Sequence, residues 1–167
     1  MTLIVYRAGT LVADHLVVHK QNIAGINKFR EHIGAKINVT PENDIAYVFD
    51  NDVVPEILDP VLLYIRRYES GKLSDDEPAL DFDQDFKLVL VTRRSFYTVV
   101  RENEKVIFRD AEHDIYISPN GSYRFYDSLK LTAEEIYKAM VFIDNFMVTT
   151  DYDVFHAKSL KLIRKVR

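Results

Sequence analysis

The apolar residues of this chain fall in short runs separated by turn chemistry, and the order of those runs limits its fold most. Leu3 to Arg7 is apolar and β-branched, Ala8-Gly9 supplies a turn, and Leu11 to Val18 returns as a second strand. Lys36 to Thr40 and Ile45 to Phe49 form another pair around Pro41-Glu42-Asn43-Asp44. Ile57, Leu58, Val61, Leu62 and Ile65 then share one face at helical spacing. Asp59-Pro60 fits an N-cap and first helical residue, so the regular helix is expected from Pro60, with Gly71 ending the segment. Short strands follow at Lys87 to Thr92, Phe96 to Val100, Val106 to Phe108 and Asp114 to Ile117. Thr132-Ala-Glu-Glu135 is a capping box, in which the hydroxyl and the carboxylate each satisfy an orphan amide. It opens a helix with Ile136, Ala139, Met140, Ile143 and Met147 on one face, and Val154 to Ile163 reads as one last strand. Strands, helix, strands, helix, strand predicts an α+β domain with helices packed on antiparallel sheet.

Composition narrows the function classes. A chain of 167 residues without a long Pro, Gly or Ser linker fits one domain, and 47% hydrophobic residues supply a core. There is no Cys, which excludes disulfides and thiolate-bound metals. No apolar run approaches the roughly 20 residues of a membrane span, and no secretory signal pattern opens the chain, so the expected location is cytoplasmic. A net charge of −4 gives no reason to expect nucleic acid. The charge is nonetheless uneven: Asp75, Asp76, Glu77, Asp81, Asp83 and Asp85 form an acidic stretch, and Lys158, Lys161, Arg164, Lys165 and Arg167 a basic tail. Both read as solvated, and a partner would find its docking charge there.

Asp81, Asp83 and Asp85 have the opening spacing of a calcium loop, but Phe86 and Thr92 stand where that loop needs Gly and Glu. His15 and His19 read as half-exposed strand residues rather than a metal pair, and Asp151 and Asp153 as a polar connection. No phosphate loop, dinucleotide fingerprint or Ser nucleophile elbow is present, so no cofactor and no metal are expected.

Four stretches resemble the proteasome β-subunit superfamily, above all its bacterial ring peptidase. They are Thr2-Leu-Ile-Val-Tyr-Arg-Ala-Gly-Thr-Leu-Val-Ala-Asp14; Lys36-Ile-Asn-Val-Thr-Pro-Glu-Asn-Asp-Ile-Ala-Tyr-Val-Phe49; Asp114-Ile-Tyr-Ile-Ser-Pro-Asn-Gly-Ser122; and the helix that starts at Lys130-Leu-Thr-Ala-Glu-Glu135. The resemblance implies a four-layer αββα sandwich of the N-terminal-nucleophile hydrolase type. It also implies Thr2 as nucleophile after removal of Met1, Asp14 as orienting carboxylate, Lys36 as electrostatic partner and Ser122 near the N-terminus. A freed α-amine, with a pKa near ~8, is a fitting base for a Thr hydroxyl.

The chain departs from the family pattern at several points. Asn51, flanked by Asp50 and Asp52, stands where the family's first oxyanion glycine belongs. Its backbone N–H survives, but the neighbouring carboxylates oppose a developing oxyanion. The Gly-Ser-Gly turn has become Ser118-Pro119-Asn120-Gly121-Ser122, and the family's late-helix Asp falls at Asn145, beside Asp144. The central segment has room for one helix where the family has two. The resemblance therefore implies a homo-oligomer while the short helical layer argues against a family-like ring.

Two functions follow. One is a non-catalytic binding or scaffold protein, shortened and virus-encoded, that takes a protein or peptide partner through Asp75, Asp76, Glu77 and Asp81. The alternative is a threonine-type peptide hydrolase.

Overall fold

The structure is a computed structural model, and it describes residues 3–49, 55–73, 80–111, 115–118, 129–143 and 151–166, with backbone only at 16–21, 28–33, 118 and 143. It is mixed α+β. In chain order come β1 (Ile4–Arg7), β2 (Thr10–Asp14), β3 (Leu16–Ile23), β4 (Ile26–Ile33), β5 (Asn38–Val39), β6 (Ala46–Phe49) and α1 (Pro55–Glu69). Then follow β7 (Phe86–Val91), β8 (Phe96–Glu102), β9 (Lys105–Asp110), β10 (Tyr116–Ser118), α2 (Ala133–Ile143), β11 (Tyr152–His156) and β12 (Lys161–Lys165). The strands form a five-stranded sheet ordered β10-β1-β2-β11-β12, a second five-stranded sheet ordered β5-β6-β7-β8-β9, and a separate β3-β4 ribbon. Every pairing among them is antiparallel.

Alternation along the strands sorts the core. Ile4, Tyr6, Leu11, Ala13 and Phe155 of the first sheet meet Ala46, Val48, Val89, Val91 and Phe96 of the second in one buried cluster. The neighbouring residues Leu88, Leu90, Tyr97 and Val99 point the other way and pack on Ile57, Leu58, Val61, Leu62 and Ile65 of α1. On the first sheet, Leu3, Val5, Val12 and Val154 likewise pack on Ile136, Tyr137 and Met140 of α2. With both faces covered, Leu88 to Val91 is apolar at every position rather than alternating.

Turn chemistry sets the registers. Ala8 and Gly9 both have positive φ, 49° and 81°, and Ala24 and Gly25 repeat the pattern at 52° and 79°. Two consecutive left-handed residues make the primed turn whose twist matches a two-residue hairpin. The expected second strand, Leu11 to Val18, breaks at His15. There the chain leaves the first sheet: the Gly34 N–H donates to the His15 carbonyl at 2.8 Å, and residues 16–33 go into the ribbon.

Helix α1 starts earlier than Asp59-Pro60 suggests. Pro55 takes the first helical position, where its missing N–H costs nothing. Pro60 lies inside the helix on its exposed side, so the carbonyl it leaves unbonded can meet water. Gly71 ends the segment as expected: it has φ 68°, and the Lys72 and Gly71 amides donate back to Arg67 and Tyr68. In α2 the Thr132 hydroxyl accepts from the Glu135 amide at 3.2 Å and donates to the Glu135 carboxylate at 3.0 Å. The expected single last strand is a hairpin. Ala157 to Leu160 turns the chain, with Leu160 at φ 51°, although no Gly, Pro or Asn marks the place.

Arg66 of α1 ties the β5–β6 turn to the helix through a two-point grip on Asp44, at 2.9 and 3.0 Å, plus Glu42 at 3.0 Å. This guanidinium holds the Asp44 carboxyl down at about 2 against an ordinary 3.8. The folded pKa is depressed, so the stabilisation is complete above the unfolded value and disappears as pH falls toward 2. Asp44 is 41% exposed, and solvent screening limits the effect to about 0.5–1 kcal/mol. Asp44→Asn is expected to lose that much at pH 7 and to converge with the parent near pH 2, as read by urea unfolding across that range.

Candidate functional site

The end of β2 carries the chemistry. Asp14 is fully buried and closes the β1–β2 ladder with both its backbone and its side chain. Its amide donates to the Leu3 carbonyl at 3.2 Å, and its Oδ1 accepts the Leu3 N–H at 2.9 Å. The Leu3 nitrogen is covalently joined to Thr2, so this bond holds the peptide unit that follows the candidate nucleophile. Lys36 donates from Nζ to the same Oδ1 at 2.8 Å, and its side chain is only 8% exposed. A desolvated ammonium fixed by a buried carboxylate can stabilise negative charge that develops beside it.

Of the residues singled out from sequence, the structure thus brings Asp14 and Lys36 together. Thr2, Asn51 and Ser122 lie outside the described residues, as do Asp75, Asp76 and Glu77, and Asp144 and Asn145 of the late-helix comparison. Asp81 is exposed and borders, with Glu56, Ile57, Phe82, Asp83 and Gln84, a shallow cleft of about 460 Å³. Asp85 pairs with Arg101 at 2.6 Å.

On the α2 side, the Tyr137 and Tyr152 rings lie 4.8 Å apart. Burial, and then the nearby negative charge of Asp14, push the Tyr137 hydroxyl up. Burial and a hydrogen bond to Glu134 at 2.5 Å push Tyr152 up to about 12. Both phenols therefore stay protonated at neutral pH and can only donate toward carboxylates.

Sequence reasoning missed a second buried carboxylate. Asp153 sits within β11, opposite Ala13 of β2 and Arg164 of β12, and is fully buried. It is not a polar connection. Its Oδ1 meets His15 Nε2 at 2.7 Å, and its Oδ2 accepts from Arg164 Nη1 at 2.7 Å and from the Ile37 N–H at 3.4 Å. His15 is correspondingly buried rather than half-exposed, because its ring turns in to that carboxylate. Arg164 of the basic tail spends its charge internally. An isolated Asp in an apolar strand, with a His just past the end of one flanking strand and an Arg on the other, is the sequence signal that hinted at this node.

A second cleft, of about 450 Å³, is lined by Tyr68, Glu69, Arg93, Arg94, Ser95, Tyr97 and Asp110. It lies beside Val91 and Phe96, whereas Lys36 precedes Asn38 at the opposite end of the second sheet. Its carboxylates are already engaged, Glu69 by Thr92 and Tyr97 and Asp110 by Ser95 and Tyr68. Among the described residues, no three His, Asp or Glu side chains gather to hold a metal ion, and no helix is long and apolar enough to cross a membrane. No protein-family model matches the sequence, and no curated protein matches it.

Proposed function

We propose that the chain has the proteasome-like, N-terminal-nucleophile hydrolase fold and acts as a threonine-type peptide hydrolase. Two sheets packed face to face, with α1 on the outer side of one and α2 on the outer side of the other, support an αββα sandwich. The observation that carries the activity is the Lys36–Asp14 pair, bonded to the amide next to Thr2. A binding scaffold needs no desolvated lysine there, and well-packed apolar residues in its place are often equally or more stabilising.

In this reading, removal of Met1 frees the Thr2 α-amine. The Thr2 Oγ attacks a peptide carbonyl and its proton passes to that amine. The C–O bond forms as the carbonyl π electrons move to oxygen, Lys36 offsets the resulting charge, and the Asn51 backbone N–H is the oxyanion donor that the family resemblance implies. Collapse expels the amine of the leaving peptide, which takes the proton. Water then hydrolyses the Thr2 ester and restores the enzyme.

The test begins with the intact mass of the purified protein, which is expected to lack Met1. A Thr-directed electrophile such as a peptide vinyl sulfone is then expected to add one equivalent at Thr2, and none to Thr2→Ala. Retained Met1, or a Thr2 that stays unlabelled, removes the hydrolase reading. The second reading, a non-catalytic binding protein, then stands. It is favoured by the Asp50 and Asp52 carboxylates that flank Asn51 and by the exposed acidic cleft at Asp81 and Asp83.

A further inference from the structure

We infer that Asp153 is a positioning residue that sets where Lys36 sits; its effect on chemistry rests on the hydrolase reading. Lys36 belongs to no strand. Residues 34–37 cross from the β3–β4 ribbon to β5 without ladder pairing, over the end of the first sheet. A long, flexible side chain on such a crossing reaches one buried partner reliably only if its own backbone is held.

Three contacts among the described residues help hold that backbone or its side chain. The Gly34 N–H donates to the His15 carbonyl at 2.8 Å, Lys36 Nζ donates to Asp14 at 2.8 Å, and the Ile37 N–H donates to Asp153 Oδ2 at 3.4 Å. Asp14 and Asp153 lie on neighbouring strands one residue out of register, Asp14 facing Tyr152 and Asp153 facing Ala13. Side chains alternate along a strand, so the two carboxylates address the crossing from opposite faces of the sheet. Asp14 takes the ammonium, and Asp153 takes the peptide N–H that leaves the same residue's carbonyl.

The Asp153 carboxylate is itself fixed. His15, the residue directly after Asp14, holds one oxygen, and Arg164 from the next strand holds the other. The His15 amide also donates to the Asp151 carbonyl at 3.2 Å. Asp153 therefore joins the end of β2, β11, β12 and the crossing through one buried carboxylate, a costly placement unless its oxygens are satisfied, and the Arg164 side chain that holds one of them stays 43% exposed. The longest contact of that carboxylate is the one to Ile37, which makes it the point most easily lost.

The experiment compares the parent with Asp153→Ala, which removes both acceptor oxygens, and Asp153→Asn, which keeps one. The first readout is the side-chain ε-methylene NMR signal of Lys36, assigned with Lys36→Arg. It is expected to move toward that of a solvated lysine in Asp153→Ala and to stay near the parent in Asp153→Asn. The second is the rate of vinyl sulfone addition to Thr2. It is expected to fall about 10- to 100-fold in Asp153→Ala, at unchanged probe affinity, with most of the rate restored in Asp153→Asn.

A Lys36 signal that does not move in folded Asp153→Ala overturns the inference, and so does a folded fraction that is labelled at the parent rate. A parent that is never labelled removes the hydrolase reading instead, and the NMR readout then decides the positioning role alone. If Asp153→Ala does not fold, His15→Ala frees one oxygen of the same carboxylate. It is expected to shift the Lys36 signal in the same direction, and His15→Gln to restore it.

Discussion

Lys36→Met is expected to destabilise the protein by about 3–5 kcal/mol in urea unfolding at neutral pH. Methionine keeps most of the apolar stem and removes the charge. Asp14, which is fully buried, then retains the Leu3 N–H but loses the cation that offsets its desolvation. An exposed pair broken in the same way costs about 1 kcal/mol at most, so the size of the loss measures how dry the site is. In the double variant Lys36→Met with Asp14→Asn, the second change removes the stranded charge and leaves an oxygen for the Leu3 amide. Its loss is expected to fall short of the sum of the single losses, the sign of direct coupling. Stability and chemistry separate cleanly in this variant. At a temperature where Lys36→Met is fully folded, Thr2 is still expected to resist the electrophile, because the buried Lys36 cation that offsets the developing charge is gone.

The pattern of elements was legible because local chemistry agreed with the tertiary outcome. Ala8-Gly9 and Asn43-Asp44 sit in real turns, the α1 stripe from Ile57 to Ile65 is the buried face, and Gly71 does stop that helix. Where local signals were silent or misleading, long-range contacts had decided. The turn from Ala157 to Leu160 has no Gly, Pro, Asn or Asp, and its backbone is instead caught by the Gly9 carbonyl, which accepts the Ala157 N–H at 2.8 Å.

The ribbon from Leu16 to Ile33 mixes polar and apolar residues because its strands pair with each other and with neither sheet. Of the site, Asp14 and Lys36 were reached only through the order of motifs in a family they resemble. Nothing in their local sequence marks one as buried or the two as partners. Asp153 was misread for the same reason. Its ring and guanidinium partners are His15 and Arg164, the former 138 residues away, and a charged residue next to a polar stretch reads as solvated.

Phe96→Ala is expected to cost about 3–5 kcal/mol, the range for deleting a large buried ring whose surroundings collapse only in part. Phe96 is fully buried where the two sheets meet. It opens β8, and its ring stacks on Tyr6 of β1 at 4.2 Å and lies 5.3 Å from Tyr116 of β10. Tyr6 and Tyr116 are themselves opposite one another in the β1–β10 ladder, so one side chain from the second sheet is gripped by two strands of the first. Such ring pairs add about 0.5–1.5 kcal/mol beyond the area they bury. Phe142→Ala is the natural control: that ring is 89% exposed, and its removal is expected to stay within about 0.5 kcal/mol. The contrast tests the packing of the sheets rather than the hydrophobicity of phenylalanine. A loss near 1 kcal/mol at Phe96 would mean that the sheets close over the gap or never met through this ring. The strand that leads to Leu3 and Thr2 would then lack its anchor, and a site that depends on the start of β1 could not be held at hydrogen-bond precision.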